Sequence, residues 1–373
     1  MNVGLFFILQ HPEWKTEAQV VGETLEQIEY AEELGFESVW LAEHHFTRHG
    51  ICGSPLQFLA NVAARTRRIR LGLAIAVLPF QHPIHTAEQS AMLDILSNGR
   101  LDFGVGRGYL ESEFTGFGLK QADSTTLFQE SVDIIRGAWT QERFSYHGKH
   151  YNFENLRIAP KPLQQPHPPI FAATISPHSL SWAIDNNFPM LTGALTPFPD
   201  VKAAHVYYRA ELARRGADPT LYARSTYNRA VVVAETTEEA RALAGPALEW
   251  QAATVFNSGS SAQGGQYAND YEYYRQLDQM KQQQATMQWT DEVWADAAST
   301  PAVGDPDEVL RRLRILQDEL GLQTLMARMN LGGIEHHKVM RSMELFAHEV
   351  WPRLGMPTAA AAEPTSDSVP AVR

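Results

Sequence analysis

Residues 3–41 read VGLFFILQHPEWKTEAQVVGETLEQIEYAEELGFESVWL and contain the smallest unit from which the fold can be predicted. Residues 3–9 are a continuous apolar run, which is typical of a buried strand. Residues 16–34 carry apolar side chains at helical spacing, and Gly35 follows as a stop signal. A second short apolar run, residues 38–41, comes next. Strands that are apolar on both faces and separated by amphipathic helices indicate a parallel sheet covered by helices.

The same alternation continues along the chain. Further strands are predicted at residues 69–78, 101–105, 170–173, 189–191, 225–234 and 322–327, and further helices at 55–66, 83–96, 177–185, 200–215, 237–253 and 305–320. Eight strands of this kind predict an α/β fold, a (β/α)8 TIM barrel with insertions, which takes up about 250 residues. Residues 144–151 predict a hairpin around Gly148, and the proline-rich residues 160–169 predict an extended connector.

Two segments fall outside the barrel pattern. Residues 257–291 are rich in Gly, Ser, Gln and Tyr, which fits either a surface insertion or a mobile lid over the barrel mouth. Residues 356–373 consist largely of Ala, Pro and Ser, and we expect this tail to be disordered. We therefore predict one barrel domain over residues 1–355, followed by the tail.

Composition excludes several classes of protein. Apolar residues make up 44% and charged residues 20%, an ordinary globular composition. The net charge is −12 without a basic run, so nucleic acid is not an expected partner. Cys52 is the only cysteine, which excludes an internal disulfide and a thiolate zinc cage and fits a reducing compartment. Residues 1–9 carry no basic leader and end too early for a membrane span, so we expect a cytoplasmic protein without a membrane partner.

The first candidate site is the cluster Glu43, His44 and His45, which directly follows the strand at residues 38–41. The carboxyl ends of barrel strands are where barrel active sites lie. Alternation along the strand predicts that His44 shares the side of Ala42 and that Glu43 points to the other side. One imidazole then faces the cavity. The cluster fits an acid-base site, and it equally fits histidines that bond to backbone at the rim.

A metal site is a further alternative for this cluster. It would need three or four converging ligands, with His11, His82 or His85 supplied from other strand ends. The sequence has no His-x-His or His-x-x-x-His spacing within these groups. We therefore predict no metal.

The second candidate site is FGVGRGY at residues 103–109, again after a strand. Gly106 and Gly108 allow the backbone to approach a ligand closely, and Arg107 can bind a phosphate or carboxylate with its forked guanidinium. A tight turn with a surface arginine would look the same. The pattern is not a dinucleotide-binding fingerprint, because no Gly-x-Gly-x-x-Gly opens a helix here.

The third candidate site is TISPHS at residues 174–179, between a predicted strand and a predicted helix. Hydroxyls and free backbone amides at a helix N-terminus form an anion site. Ser176 and Ser179 could equally serve only as helix caps.

Four segments together carry a family resemblance. They are VWLAEHHFT at residues 39–47, VLPFQHP at 77–83, LDILSNGR at 93–100 and FGVGRG at 103–108. In order and spacing the chain resembles the bacterial luciferase-like flavin-dependent monooxygenases. The resemblance is dense over the first 120 residues, thinner at 176–182, and visible again at 326–333 and 343–352.

The resemblance implies a barrel that binds FMN at its mouth. Arg107, Ser176 and Ser179 would then hold the flavin phosphate. His44 would be the catalytic residue beside the reactive edge of the isoalloxazine, and Glu43 or His45 would orient it. The run LAIA at residues 73–76 corresponds to the family strand with a non-proline cis peptide beneath the flavin. The full set of expected cofactor-binding residues is Ala74, Ile75, Gly106, Arg107, Gly108, Tyr109, Ser176 and Ser179.

The implied activity is oxygenation of a small organic substrate by reduced FMN and dioxygen through a flavin hydroperoxide. No nicotinamide-binding unit is evident in the sequence, so a separate flavin reductase is the expected source of reduced FMN. Luciferases carry a reactive cysteine just before the arginine, where this chain has Gly106, so light emission and a long-chain aldehyde substrate are not expected. Phe6, Tyr109, Trp250 and Met329 are candidate pocket residues that could equally be core residues.

Alternatives to this activity stay open at the level of sequence. A deazaflavin-dependent dehydrogenase would use the same barrel for hydride transfer without oxygen. A metal-dependent hydrolase would use Glu43, His44 and His45, and a non-catalytic flavin-binding subunit would use only the cofactor site. The apolar helices at residues 55–66 and 83–96 suggest a homodimer.

Overall fold

The chain folds into a closed barrel of parallel strands in the computed structural model, which describes residues 1–193, 196–257 and 288–355. Around the barrel the strand order is β1-β2-β3-β5-β8-β9-β10-β12, and β12 pairs with β1 to close the ring. This confirms the predicted (β/α)8 TIM barrel. The strands are β1 (Asn2–Phe7), β2 (Ser38–Leu41), β3 (Arg70–Leu73), β4 (Ala76–Val77), β5 (Leu101–Gly106), β6 (Phe144–His147), β7 (Asn152–Leu156), β8 (Ile170–Ala173), β9 (Met190–Thr192), β10 (Thr226–Val233), β11 (Ala302–Gly304) and β12 (Thr324–Arg328).

Helices cover the outside of the barrel. The first begins after Thr16, whose side chain accepts the backbone N–H of Gln19 while the Gln19 side chain accepts the N–H of Thr16, a reciprocal capping box. It ends before Gly35, whose φ of 89° requires glycine. The helices are Glu17–Glu33, Pro55–Arg65, Pro83–Leu96, Glu111–Gly116, Ser124–Thr140, Pro177–Asp185, Phe198–Arg215, Thr220–Arg224, Thr237–Asn257, Asp291–Ala295, Pro306–Leu320 and His336–Leu345.

The barrel interior is filled by a small apolar cluster of Trp40, Phe171, Leu191 and Met326. The rings of Trp40 and Phe171 meet edge to face, with centroids 5.1 Å apart. Gly72 makes room for the indole, because a Cβ at that position would collide with it. These side chains fill the barrel interior at the level of the strands, below the carboxyl ends at which barrel active sites lie.

The strand predicted at residues 69–78 is interrupted. It forms β3 and β4, separated by a cis peptide bond between Ala74 and Ile75. This bond lies where the family resemblance places it. Both parts pair with β5, so the interruption leaves the barrel closed.

Other elements were missed or shifted. The hairpin around Gly148 is present, since β6 and β7 pair antiparallel, although β7 extends to Leu156. Three elements were not predicted from the sequence: the long helix Ser124–Thr140, the helix His336–Leu345 and the short strand β11. β11 pairs in parallel with the end of β10 and so adds to the barrel wall on its outer side.

Two predicted segments fall largely or wholly outside the described residues. Of the predicted lid or insertion at 257–291, residues 258–287 are not described, and the tail at 356–373 is not described at all. Within the described ranges, every helix is too short or too polar to cross a bilayer.

Candidate active site

Glu43, His44 and His45 follow β2 at the carboxyl end of the barrel. The Nδ1 of His44 donates to the Oε1 of Glu113 at 3.0 Å, and the same oxygen accepts the backbone N–H of His45 at 2.9 Å. His44 and Glu113 are both buried. Because Nδ1 is used in this way, Nε2 is the nitrogen of His44 that remains for a ligand.

Glu43 and His45 form a separate pair. The Nε2 of His45 donates to the Oε1 of Glu43 at 3.1 Å, and the Oε2 of Glu43 accepts the backbone N–H of Val77 at 2.9 Å and the amide of Gln81 at 2.8 Å. Glu43 and His44 thus bond to different partners. The expectation that Glu43 or His45 orients His44 is corrected, because the carboxylate bonded to the His44 imidazole belongs to Glu113.

The Glu43–His45 pair lines a cleft of about 380 Å³. The cleft is bordered by the first turns of the helices Pro55–Arg65 and Pro83–Leu96 and by the ring of Phe117. His44 does not line this cleft. The two adjacent histidines therefore lie in different environments, with His45 at the cleft and His44 beside Glu113.

His49 and Tyr109 lie next to His44. The ring centroids of His44 and His49 are 4.8 Å apart, and those of His44 and Tyr109 are 6.1 Å apart. Burial lowers the pKa of His49 well below its ordinary value, and the neighbouring His44 and Arg328 lower it further. Its Nδ1 is buried without a hydrogen-bond partner among the described residues. His49 is therefore a neutral ring at neutral pH.

Arg328, the last residue of β12, was not predicted as a site residue. Only 5% of it is exposed. Burial lowers the pKa of Arg328 to about 10, with an opposing effect from the Tyr109 hydroxyl, so the guanidinium remains charged at neutral pH. The signal available in the sequence was a charged residue that ends an apolar strand.

The glycine-flanked Arg107 follows β5. Its guanidinium donates to the Oγ1 of Thr125 at 2.7 Å. Gly108 has a φ of 78°, which favours glycine at that position. A Cβ at Gly106 would collide with the side chain of Ile75, so this glycine makes room for that side chain beside the cis peptide.

The hydroxyls after β8 form a compact cluster at the N-terminus of the helix Pro177–Asp185. Ser176 is the N-cap, and its Oγ accepts the backbone N–H of Ser179 at 3.4 Å. The Oγ atoms of Ser176 and Ser179 are 2.8 Å apart, and Thr174 donates to Ser179. Capping is therefore present, and the hydroxyls are gathered at one point as an anion site requires.

The candidate metal ligands are not brought together. The Nε2 of His11 bonds to the carbonyl of Lys15 at 2.7 Å, and the ring centroids of His82 and His85 are 5.7 Å apart. Within the described part of the chain, no group of three His, Cys, Asp or Glu residues is arranged to hold a metal ion.

The four candidate pocket residues separate into different environments. Phe6 packs against the cluster inside the barrel, and Tyr109 lies beside His44. Met329 belongs to the main hydrophobic core. Trp250 donates from Nε1 to the Oε2 of Glu13 at 2.9 Å. Two of the four thus lie near the candidate site.

A parallel barrel with a buried, paired histidine at its mouth defines the class of a TIM-barrel enzyme. The family model described as luciferase-like monooxygenase matches residues 1–323, and the chain belongs to this family. It is 33% identical over 189 residues to the oxygenase component of a flavin-dependent trigonelline monooxygenase from Acinetobacter baylyi. That match covers 50% of this chain and 52% of the relative, so it spans about half of each protein.

Solved structures support the same fold. The monooxygenase RslO1 from Streptomyces bottropensis matches with a TM-score of 0.82 and 29% identity, over 95% of this chain and all of that one. The oxygenating constituent of 3,6-diketocamphane monooxygenase from Pseudomonas putida, solved with FMN, matches with a TM-score of 0.77 and 21% identity over 96% and 99% of the two chains. An F420-dependent secondary alcohol dehydrogenase shares the fold at a TM-score of 0.70 and 16% identity, over 95% and 99%.

Proposed function

We propose that this chain is the oxygenase component of a two-component monooxygenase, which uses reduced FMN and dioxygen to oxygenate a small organic substrate. A separate flavin reductase supplies the reduced cofactor. Family membership supports the reaction class. The observation that carries the assignment to this site is the buried His44–Glu113 pair at the barrel mouth, which leaves one imidazole nitrogen available there.

The residues around the mouth fit an FMN molecule. Arg107 supplies a cation at the end of β5, and Ser176 and Ser179 supply hydroxyls at a helix N-terminus; both are suited to the phosphate. Ala74 and Ile75 pack against the interior cluster and offer an apolar platform for the ring system. Gly106 has no side chain, so the Ile75 side chain can lie against the end of β5 beside this platform.

Reduced FMN would supply the electrons that activate dioxygen, and the protein orients the reactants and excludes water. In this arrangement His44 Nε2 holds or moves a proton at the mouth, while Glu113 fixes the ring through Nδ1. The buried setting excludes bulk water from the imidazole. Gly108 and Tyr109 complete the wall beside it.

An F420-dependent dehydrogenase is the second candidate function, because one solved structure of this fold carries that cofactor in its name. The metal-dependent hydrolase has no support from the described contacts, since His44 and His45 each bond to a different carboxylate.

Anaerobic mixing distinguishes these functions. The protein is incubated with photoreduced FMN or with reduced F420, and air is then admitted while flavin absorbance and oxygen are recorded. The proposed oxygenase binds reduced FMN and alters the time course of its reoxidation. The variant His44→Ala loses this effect and keeps FMN binding, whereas His147→Ala, which changes an exposed histidine at the end of β6, behaves as wild type. Binding of F420 without FMN would overturn the proposal in favour of the dehydrogenase.

We also propose a homodimer through the outer helices. Three large apolar side chains, Met92, Ile95 and Leu96, are exposed on the helix Pro83–Leu96. Exposed apolar groups that lie together mark association surfaces. Sedimentation velocity on wild type and on Ile95→Glu measures the assembly: the proposal predicts a dimer that the charge dissociates, and a monomeric wild type would refute it.

A further inference from the structure

Arg328 is placed inside the barrel mouth by the strand that carries it. Met326, two residues earlier on β12, belongs to the interior cluster, so Arg328 faces the same side. Ala327 is the register partner of Leu5, and the next residue on β1 is Phe6, which packs against the interior cluster. The guanidinium is therefore directed to the inside of the barrel, one layer above the cluster.

The buried guanidinium lacks a counterion in the described part of the chain. No ion pair or hydrogen bond joins the side chain of Arg328 to another described residue, and its Nε is buried without an acceptor. A buried charge without a partner is strongly unfavourable, and proteins retain one chiefly where a ligand supplies the opposite charge. The groups that face it electrostatically are His49, which burial keeps neutral, and Tyr109.

A second unpaired donor lies on the neighbouring strand. Asn228 of β10 is the register partner of Met326, so its side chain also faces the interior. It is 6% exposed, and its Nδ2 has no acceptor among the described residues. Two buried donors on adjacent strands thus face the barrel interior, and neither is bonded to an acceptor of the described chain.

The barrel order separates this place from the cofactor phosphate site. β12, which ends in Arg328, lies four strands from β5, which precedes Arg107, counted in either direction around the ring. β2, which precedes His44, lies two strands from each. A flavin held by its phosphate at the β5 wall leaves the β12 wall to the other reactant, with His44 between them.

We propose that Arg328, with Asn228, binds an anionic oxygen of the organic substrate, so that the substrates of this protein carry a carboxylate or a similar anionic group. The proposal rests on the proposed oxygenase function. An arginine binds a carboxylate with two parallel hydrogen bonds, which fixes the orientation of the molecule as well as its position. Arg328 therefore determines specificity, and His44 remains the residue beside the reacting atoms.

Binding of simple carboxylates tests the proposal. Benzoate and hexanoate are titrated by calorimetry into the protein with and without saturating FMN, each against its uncharged amide. The wild-type protein is expected to bind at least one carboxylate more tightly than its amide. Arg328→Met should lower that affinity about tenfold to a hundredfold, the usual effect of losing a charge-assisted hydrogen bond. Arg328→Lys should restore part of it.

Controls separate the anion site from folding and from flavin binding. Arg314→Met removes an exposed arginine whose side chain donates to the carbonyl of Arg353 on the outside of the barrel, and it should change the binding of neither ligand. Arg328→Met should keep the wild-type FMN affinity and should melt at a temperature no lower than that of the wild type, because it removes a buried charge without a partner among the described residues. Where that variant fails to fold, Asn228→Leu and the carboxylate-amide comparison in wild type give the answer.

The outcomes are distinguishable. Carboxylates that bind no better than their amides, or full discrimination retained by Arg328→Met, would overturn the anion site. A loss of FMN affinity in Arg328→Met would assign the arginine to the cofactor instead. Carboxylate discrimination through Arg328 in a protein that fails to bind FMN would refute the oxygenase function and leave the anion site standing.

Discussion

Replacing Glu113 by glutamine tests whether its carboxylate acts through His44. One oxygen of Glu113 accepts both the Nδ1–H of His44 and the backbone N–H of His45. The amide oxygen of glutamine can accept both bonds in the same geometry, so Glu113→Gln removes the charge and keeps the contacts. Glu113→Ala removes both, and two buried donors lose their acceptor.

The expected magnitudes differ for the two variants. A hydrogen bond to a charged group contributes about 1.5–3 kcal/mol and a neutral one about 0.5–1.5 kcal/mol, so the glutamine variant weakens the support of a protonated imidazole by about 1–1.5 kcal/mol. Such a difference changes a rate by about tenfold. Each unpaired buried donor costs about 1–3 kcal/mol, so the alanine variant loses about 2 kcal/mol or more in its free energy of unfolding.

The assay follows reoxidation of bound reduced FMN by stopped flow, together with the FMN dissociation constant and urea unfolding. Glu113→Gln is expected to change the reoxidation rate about tenfold, in the direction of His44→Ala, with flavin affinity unaltered and with a smaller loss in free energy of unfolding than Glu113→Ala. A wild-type reoxidation rate in Glu113→Gln, beside a strong effect of His44→Ala, would refute the reasoning.

Three further predictions follow from the described contacts. Gly104→Ala forces a Cβ onto the carbonyl oxygen of Leu73 and should lower the free energy of unfolding by about 3 kcal/mol. The matched variant Gly22→Ala lies in the middle of a helix, and its Cβ meets nothing within 4 Å, so it should raise the free energy of unfolding by about 0.5–1 kcal/mol. Urea titration measures both changes. Burial, with a smaller effect of nearby charge, lowers the pKa of His205 to about 3, so the unfolded chain binds the proton more tightly than the folded chain. The contribution of neutral His205 to the free energy of unfolding is complete above pH 6.5 and falls by about 2 kcal/mol between pH 7 and 5. In His205→Gln the slope of the free energy of unfolding against pH should shrink by one proton. Arg107→Met should weaken FMN binding about tenfold to a hundredfold in fluorescence titrations, and unchanged affinity would remove Arg107 from the phosphate site.

The alternation of strands and helices was sufficient to predict the barrel, because the apolar runs of buried strands and the helical spacing of apolar residues are both visible in short stretches of sequence. The helix predicted at residues 177–185 has the same bounds as the observed helix Pro177–Asp185, because Ser176 and Pro177 mark its start in the sequence. β11 was missed because three residues after a proline are too short for a periodic signal. The helix Ser124–Thr140 carries a clear apolar face and was overlooked beside the stronger strand signals on either side.

The site was predictable only in part, because its partners come from distant positions. His44 and Arg107 follow strands directly, and the strand-end rule is enough to nominate them. Glu113 lies 69 residues from His44 in a six-residue helix, and no local pattern links the two. Arg328 ends the last strand of the barrel, and its significance arises from burial and from the lack of a described counterion, neither of which a sequence shows.

The end of β2 shows how one short segment serves two surroundings. His44 is held through Nδ1 by Glu113, and His45 is held through Nε2 by Glu43, so the two neighbouring imidazoles are fixed by opposite nitrogens. The Nε2 of His44 is not used in the bond to Glu113, whereas His45 lines the cleft of about 380 Å³ described above. Since Glu43 also accepts the N–H of Val77 in β4, the outer pair ties the end of β2 to the segment after the Ala74–Ile75 peptide. We therefore expect the loss of His45 to disturb the backbone after the Ala74–Ile75 peptide, and the loss of His44 to remove the imidazole that Glu113 holds.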